Sequence, residues 1–370
     1  MPSYEDLKAR VIDAGECTVC GACVVACPTF HIKFIDGKPE RPKRTMDCVG
    51  CSICYEACYM LRHDLMKAIE TSTIGWGRKE SIGLHRSVVA ARAMDADITR
   101  ACQDGGIVSA LLLYALDSGA IDGALVVGGE GWAPVACIAE HRDEIVRSAG
   151  TKYGVVPVLK ELRAAVVDRG LSRICVVGSP CHIQSTRYLK YKGLPLASSV
   201  KLTVGLFCRE NYDYACLAEK TRVRGVDIGR ADKLDVSDEF DIYVDGQKLC
   251  LPLTDVKGCV PRHCLVCRDF AAELADIAVG SGGSPEGWST VIVRTEDGEK
   301  VFSGMVEEAR IETRDIEDIS EVKEIASRKK EKGKQTREIF RLKEAGLDQE
   351  EIAARLGITK ERVSHRLEGI

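Results

Sequence analysis

The sequence predicts a multidomain α+β and α/β protein: an N-terminal cysteine-rich module, an α/β core and a small C-terminal three-helix module. Three observations carry this. Two cysteine runs of identical spacing lie between Cys17 and Cys58. From about residue 84 apolar strand-like segments alternate with helical ones, as in a buried sheet. After residue 335, short amphipathic segments are separated by helix stop and start signals. The expected divisions are 1–74, 75–316, a charged, helical linker over 317–334 that ends in RKKEKGK, and 335–370.

Composition bounds the function. A chain of 370 residues has room for two or three domains with real cores. With 45% hydrophobic residues, 29% charged residues and a net charge of -4, it reads as globular and mildly acidic. Mild acidity argues against nucleic acid as partner of the main body. The first residues, MPSYEDLKAR, lack the profile of a signal peptide. The best apolar run, SALLLYAL, is far short of the roughly 18 residues that span a bilayer. A cytoplasmic protein is expected, peripheral to a membrane only through a partner. Its 18 cysteines are then best explained by metal ligation, since disulfides are disfavoured without export.

The first element is a short polar helix over 1–16. Then Cys17, Cys20, Cys23 and Cys27 form one run, and Cys48, Cys51, Cys54 and Cys58 the other, each spaced C-x2-C-x2-C-x3-C. Zinc sites usually use paired cysteines rather than such quartets. The spacing is that of bacterial two-cluster ferredoxins, where the fourth cysteine of a run serves the other cluster. Cys17, Cys20, Cys23 and Cys58 are therefore expected on one [4Fe-4S] cluster, and Cys48, Cys51, Cys54 and Cys27 on the second. FHIKFIDGKPERPKRT between them reads as a hairpin turning at Asp36-Gly37 and a basic loop. Pro28 follows Cys27 as the pattern expects, but Tyr59 follows Cys58, a departure that removes no ligand and can shift one potential. A helix from Met60 and a linker at Gly75-Trp76-Gly77 complete the module.

In the core, HRSVVAARA reads as a strand. The Gly105-Gly106 turn opens an apolar helix, and DGALVVGG follows as a strand. A helix is expected over 155–169, then the strand SRICVVGSPC, the helix HIQSTRYLKYKG and the strand SVKLTVGLFC. Residues 231–253 look hairpin-rich, and LADIAVGSGG and WSTVIVRT supply later strands. Cys181, Cys208, Cys264 and Cys267 fall at strand ends or turns, where such folds place their sites. Four sulfurs there could hold a third [4Fe-4S] cluster or zinc, with Cys259 a further candidate. Cys102, Cys137, Cys175, Cys216 and Cys250 read as buried structural thiols. The Gly105-Gly106 turn, and Thr151, Lys152 and Gly154 in SAGTKYG, could each receive a phosphate or an electron-rich ring.

In the tail, QTREIFRLKEAG is an amphipathic helix stopped by Gly346. Asp348 with Glu351 starts DQEEIAARLG as a capping box, and Thr359 opens the last helix. The pattern resembles a helix-turn-helix.

Five motifs in order, ACQDGGIVSALL, SAGTKYG, VVGSPCHIQSTRYL, VGLFCREN and CLVCRDFAAELADIAVGSGGSPEGWSTVIVRT, give the chain a wider resemblance. Over nearly all of 1–305 it is similar to the beta subunits of coenzyme F420 hydrogenases and dehydrogenases. That resemblance implies a body that binds FAD, oxidises or reduces coenzyme F420, and carries one [4Fe-4S] cluster on Cys181, Cys208, Cys264 and Cys267, leaving Cys259 outside. The cofactor contacts expected from the turns and strand ends themselves are Gln103, Asp104, Gly105, Gly106, Thr151, Lys152, Tyr153, Ser179 and Pro180, with Lys152 the charge near FAD. The N-terminal module makes the chain most similar to the type that oxidises reduced F420 for a membrane-bound respiratory complex. The tail is not part of the family pattern.

Hydride exchange between F420 and FAD, then single electrons through three clusters, is the expected route, because a flavin handles both kinds of step. It requires no catalytic acid or base. Expected partners are other redox subunits (hydrogenase, formate dehydrogenase, heterodisulfide reductase or a respiratory complex) or ferredoxin. A ferredoxin-dependent F420 reductase, running the route backwards, is one alternative, and the electron-input subunit of another reductase is a second. A redox-sensing DNA-binding regulator is the alternative of another class, with Lys360, Arg362, His365 and Arg366 on a recognition helix. Glu350, Glu351, Glu361 and Glu368 dilute that basic surface, which favours protein docking by 335–370 over DNA.

Overall fold

A computed structural model describes residues 1–42, 48–129, 132–236, 239–316 and 318–367. The basic loop expected ahead of Cys48 lies largely outside these residues. The N-terminal helix is amphipathic rather than merely polar: Tyr4, Leu7, Val11 and Ile12 are buried against Ile32, Cys27 and Cys54. Strands β1 (Lys33–Ile35) and β2 (Lys38–Glu40) pair antiparallel around the expected turn, with Asp36 and Gly37 both at positive φ. The expected linker at Gly75-Trp76-Gly77 leads into a second small hairpin, β3 (Arg78–Glu80) and β4 (Gly83–His85).

The core is one mixed sheet built on apolar strands: β5 (Ser87–Ala93), β6 (Gly123–Gly128), β7 (Val135–Ala139), β8 (Ile174–Gly178) and β9 (Val200–Leu206). A separate three-stranded antiparallel sheet follows, β10 (Lys233–Val236), β11 (Glu239–Val244) and β12 (Gln247–Pro252), where hairpins were expected. β13 (Ile277–Gly280), β14 (Ser289–Val293) and β15 (Ile311–Arg314) then return to the main sheet. Its order is β15-β5-β14-β13-β9-β8-β6-β7. β13, β9, β8 and β6 are mutually parallel at its centre, flanked by antiparallel strands.

Both faces are covered, which explains the continuous apolar strands. On one face the helix Ile107–Asp117 packs Leu111 and Leu112 with Met305 against Val126, Val204 and Val291. On the other, the helix Pro180–Tyr191 places Ile183 and Tyr188 against Ala278 and Ile292. That helix is clamped by Arg187, whose Nη2 lies 2.7 Å from Asp276 Oδ1 and whose Nε donates to the Leu274 carbonyl at 2.9 Å. Thr203 and Thr295 hydroxyls also donate to Asp276, at 2.8 and 2.6 Å. With the Thr203 backbone N–H as a fourth donor, this buried carboxylate is fully paired, as burial of charge demands.

Three expectations are corrected. The helix expected over 155–169 begins at Val158, because Pro157 can start but not continue a helix and Val155–Val156 remain outside it. The charged stretch before residue 335, expected to be helical and to end in a linker at RKKEKGK, is helical, but its helix Ser320–Glu344 continues through that linker and the boundary expected at 334/335. Its Val322, Ala326, Lys329 and Gly333 are buried, so a seemingly charged surface segment carries a packed stripe. Finally, Cys216 and Cys259 form a disulfide, where a thiol and a candidate ligand were expected; Cys250 is exposed and Cys102 and Cys137 half-buried rather than buried, which leaves Cys175 as the buried thiol of that set. The Cα atoms of Cys216 and Cys259 are 5.4 Å apart across the seam between Tyr214–Arg222 and the Lys257–Cys259 turn, within disulfide reach.

The tail ends as expected. Gly346 takes φ +90 after Glu344. Asp348 Oδ1 accepts from Glu350 N and Glu351 N, both at 2.8 Å, while Glu351 accepts from Asp348 N. Helices Gln349–Leu356 and Lys360–Leu367 follow. They do not stand apart: Ile339, Phe340, Ile352 and Val363 share one apolar cluster with Leu265 and Val266.

Candidate functional site

The sulfurs gather in three places. Cys23 lies in electrostatic reach of Cys20, Cys17 and Cys58, and Cys58 in reach of Cys20 and Cys17. Cys27, Cys48, Cys51 and Cys54 line a second, small cavity. The fold therefore brings together the two interleaved sets that the spacing implies. Cys181, Cys208, Cys264 and Cys267 line a third cavity, of about 620 Å³. Cys181 follows β8 and Cys208 follows β9, so two of these sulfurs come from the carboxyl ends of adjacent parallel strands. Cys264 and Cys267 come from the short helix Arg262–Leu265 and the turn after it.

The chemistry of these donors fits iron-sulfur clusters. Burial pushes the Cys17 thiol up to about 12, and Cys54 and Cys208 up to about 11. Neighbouring thiols raise Cys264 and Cys181 further, after burial itself. Sulfurs crowded together in this way need positive charge beside them to ionise, which a metal centre would supply when bound. Histidine does not compete as the charge carrier: burial holds His182 and His263, both lining the third cavity, down to about 4. A buried cation at this site is Lys329, with Nζ donating to the Cys208 carbonyl at 2.5 Å. Burial works against its charge, but Cys267, Cys208 and Cys264 outweigh this and raise its affinity for the proton.

The tail helix is pressed onto this centre. A Cβ at Gly333 would lie 2.4 Å from the Cys267 carbonyl oxygen, so only glycine fits. Lys257 Nζ donates to the His365 carbonyl at 2.8 Å, and Arg262 pairs with Glu344. The N-terminal module is equally tight against the core. A Cβ at Gly21 would meet Lys160 N at 2.6 Å, Leu159 N donates to the Cys20 carbonyl at 3.0 Å, and Arg163 donates to the Val25 and Cys27 carbonyls.

Between the first and third sulfur sets sits Tyr59, 2% exposed, in reach of Cys181, Cys20 and Cys267 and hydrogen-bonded to Thr18. The sequence marked this residue only as a departure from proline; its placement between two sulfur sets follows from the docking of module on core. Nothing in the sequence marked Lys329, which was hidden in a charged stretch.

The expected cofactor residues collect along the carboxyl ends of the parallel strands. Gln103 Nε2 donates to the Leu234 carbonyl at 3.0 Å. Burial, then Asp235, pushes the Asp104 carboxyl up, and Tyr153 lies in reach of Asp104, Asp235 and Cys208. Gly105 and Gly106 are required by the fold itself: a Cβ on Gly105 would meet the Ala91 carbonyl oxygen at 2.6 Å, and Gly106 takes φ +71. Lys152 turns back, donating to the Ser148 and Gly150 carbonyls at 3.2 Å, with its Nζ 5.6 Å from the centre of the Trp132 ring. Thr151 precedes it, and both residues are half-buried. Ser179 Oγ is 3.1 Å from Cys181 Sγ and 3.0 Å from His182 Nδ1, and Pro180 begins the helix. Of these residues Ser179 and Pro180 line the third cavity beside Cys208, while Tyr153 lies in reach of Cys208 without lining it.

Comparison with known proteins matches three stretches of the chain. Residues 9–59 match the 4Fe-4S dicluster domain. Residues 88–163 and 171–319 match the N-terminal and C-terminal parts of the family described as coenzyme F420 hydrogenase/dehydrogenase, beta subunit. The chain is 37% identical to the beta subunit of the coenzyme F420 hydrogenase of Methanothermobacter thermautotrophicus, over 72% of this chain and 98% of that protein. It is 33% identical to the coenzyme F420-dependent sulfite reductase of Methanocaldococcus jannaschii over 86% of this chain, spanning 51% of that protein's length. It is 28% identical to a component of the F(420)H(2) dehydrogenase of Methanosarcina mazei, over 82% of this chain and 86% of that one. A chain of the F420-reducing [NiFe] hydrogenase complex from Methanosarcina barkeri superposes with a TM-score of 0.67 at 33% identity, covering 69% of this chain and 92% of that one. Among the described residues no helix is long and apolar enough to cross a membrane.

Proposed function

The chain belongs to the family of coenzyme F420 hydrogenase/dehydrogenase beta subunits, and from that premise we propose that it is an F420-linked flavin iron-sulfur oxidoreductase. One observation carries the proposal: the cavity lined by Cys181, Cys208, Cys264 and Cys267 reaches Tyr59, which stands between it and the sulfur set of Cys20, and Cys181 lies in electrostatic reach of Cys20. When bound, FAD would exchange a hydride with F420 and the clusters would take single electrons. The proposed ligands are Cys17, Cys20, Cys23 and Cys58; Cys48, Cys51, Cys54 and Cys27; and Cys181, Cys208, Cys264 and Cys267.

This chain's residues bind and insulate. Gln103–Gly106, Thr151–Tyr153 and Ser179–Pro180 form the walls proposed for the flavin. Lys329 offsets the charge of the core thiolates, and the tail helix packs closely on the Cys267 backbone at Gly333. In that reading 335–370 is a docking element of this chain rather than a DNA reader. The chain's own partners are other redox subunits or ferredoxin, which set the direction of flow. The long alignment with the sulfite reductase favours a second reading in which the electrons enter a separate reductase.

The test is anaerobic purification from iron-replete cells, followed by an assay of F420-dependent viologen reduction. Flavin, cluster absorbance and dye reduction together are expected. Iron-replete protein with neither flavin nor activity would overturn the enzyme reading.

A further inference from the structure

One hydrogen bond joins the core to the N-terminal sulfur set directly. Ser185 is fully buried on the helix Pro180–Tyr191, one turn after Cys181, so the two share a helix face. Its Oγ donates to Cys20 Sγ at 3.2 Å. Serine and threonine inside helices ordinarily return this donor to the carbonyl one turn back. Thr186, its neighbour, does so, donating to the His182 carbonyl at 2.8 Å. Ser185 instead directs its only donor to a sulfur from a segment 165 residues away. Cys20 is otherwise fixed through its backbone carbonyl, by Leu159 N.

We propose that Ser185 tunes the cluster held by Cys17, Cys20, Cys23 and Cys58, raising its potential relative to the core cluster. The inference rests on the reading that these four cysteines hold a cluster. Reduction adds negative charge that spreads onto the ligand sulfurs, so a hydrogen bond to one of them stabilises the reduced form more than the oxidised. Because Cys181 and Ser185 ride on one rigid helix, the same element ligates the core centre and biases the next one to accept its electron. The Arg187 clamp to Asp276 holds that helix in place, and no loop intervenes. Ser185 is a positioning and tuning residue; it touches no substrate.

The test is an EPR-monitored redox titration of the anaerobically prepared full chain, wild type against Ser185→Ala and Ser185→Thr. In Ser185→Ala, one midpoint is expected to fall and the other two to stay. Because the bond is stronger in the reduced state, its loss should shift that one-electron equilibrium by up to roughly tenfold, about 59 mV. Ser185→Thr, which keeps the hydroxyl, should restore the midpoint. The titration reads only clusters that are present, so partial loading lowers amplitude without moving a midpoint. In D2O, pulsed EPR of the wild type should show an exchangeable deuteron coupled to the affected cluster, absent from Ser185→Ala. Three unmoved midpoints, or three that fall together, overturn the proposal while leaving the oxidoreductase reading intact. Iron content below two clusters' worth in the wild type would instead overturn the cluster reading, and this proposal with it.

Discussion

Asp276→Ala removes the acceptor that holds the Cys181 helix to the sheet. In the wild type Asp276 is 3% exposed and accepts from Thr203 N at 2.7 Å, the Thr203 hydroxyl at 2.8 Å, the Thr295 hydroxyl at 2.6 Å and Arg187 at 2.7 Å. After the change the Arg187 guanidinium, on a residue 6% exposed, keeps the Leu274 carbonyl and the Thr203 hydroxyl as its partners. Removing one partner of a buried pair costs about 3–5 kcal/mol, because the stranded charge cannot be hydrated. At roughly 2–4 °C per kcal/mol for a domain of this size, the core transition should fall by about 6–20 °C. Thermal melts followed by circular dichroism at matched iron content measure this. A shift corresponding to less than about 1 kcal/mol would refute the clamp. Asp276→Leu combined with Arg187→Met removes both charges and should recover most of the loss, a coupling that a cycle of single and double variants isolates.

The same pair gives a pH dependence. Burial raises the Asp276 carboxyl, but Arg187 and the hydroxyl donors outweigh it, so its folded value lies below the ordinary 3.8. A depressed carboxyl contributes stability that is present above that ordinary value and lost as pH falls through the folded one. The melting difference between wild type and Asp276→Ala should therefore be constant at neutral pH and shrink only below pH 3.8. Gly333→Ala sets helix propensity, a gain of about 1 kcal/mol, against a 2.4 Å clash with the Cys267 carbonyl, which costs about 1–3 kcal/mol. The clash should win, lowering the melting point and loosening iron at the core centre, measured by chelator release. Replacing Cys216 and Cys259 with alanine opens a disulfide of sequence separation 43, which should cost roughly 4 kcal/mol by loop entropy, read as a lower urea midpoint. Cys264→Ser should remove about one third of the iron and leave the EPR signals of the N-terminal module.

Much of the site was legible because metal ligation imposes spacing. The two runs from Cys17 to Cys58 implied interleaved sets, and the fold places Cys58 beside Cys17, Cys20 and Cys23. Cys181 and Cys208 were readable from their place after apolar strands, and β8 and β9 prove to be neighbours. What was not legible depends on contacts between distant segments. Lys329 and Gly333 sat in a run of charges that looked solvated, and only the packing of Ser320–Glu344 on Cys208 and Cys267 gives them a role. Ser185 looked like an ordinary helical serine until its partner came from another domain. The Cys216–Cys259 bridge was missed because an argument from compartment was applied to a pair whose backbone geometry already suits a bond. The glycines at 105 and 106 suggested a phosphate cradle, and packing and backbone conformation also call for glycine there.

The central claim is that hydride entry at the core and single-electron exit through the N-terminal module belong to one chain. Adding reduced F420 to the anaerobic, iron-replete protein, freezing it and counting spins tests that claim most directly. Reduced signals from the core cluster and from the N-terminal clusters are predicted in the same sample, with bleaching of the flavin. Clusters that dithionite reduces but reduced F420 leaves oxidised would contradict it.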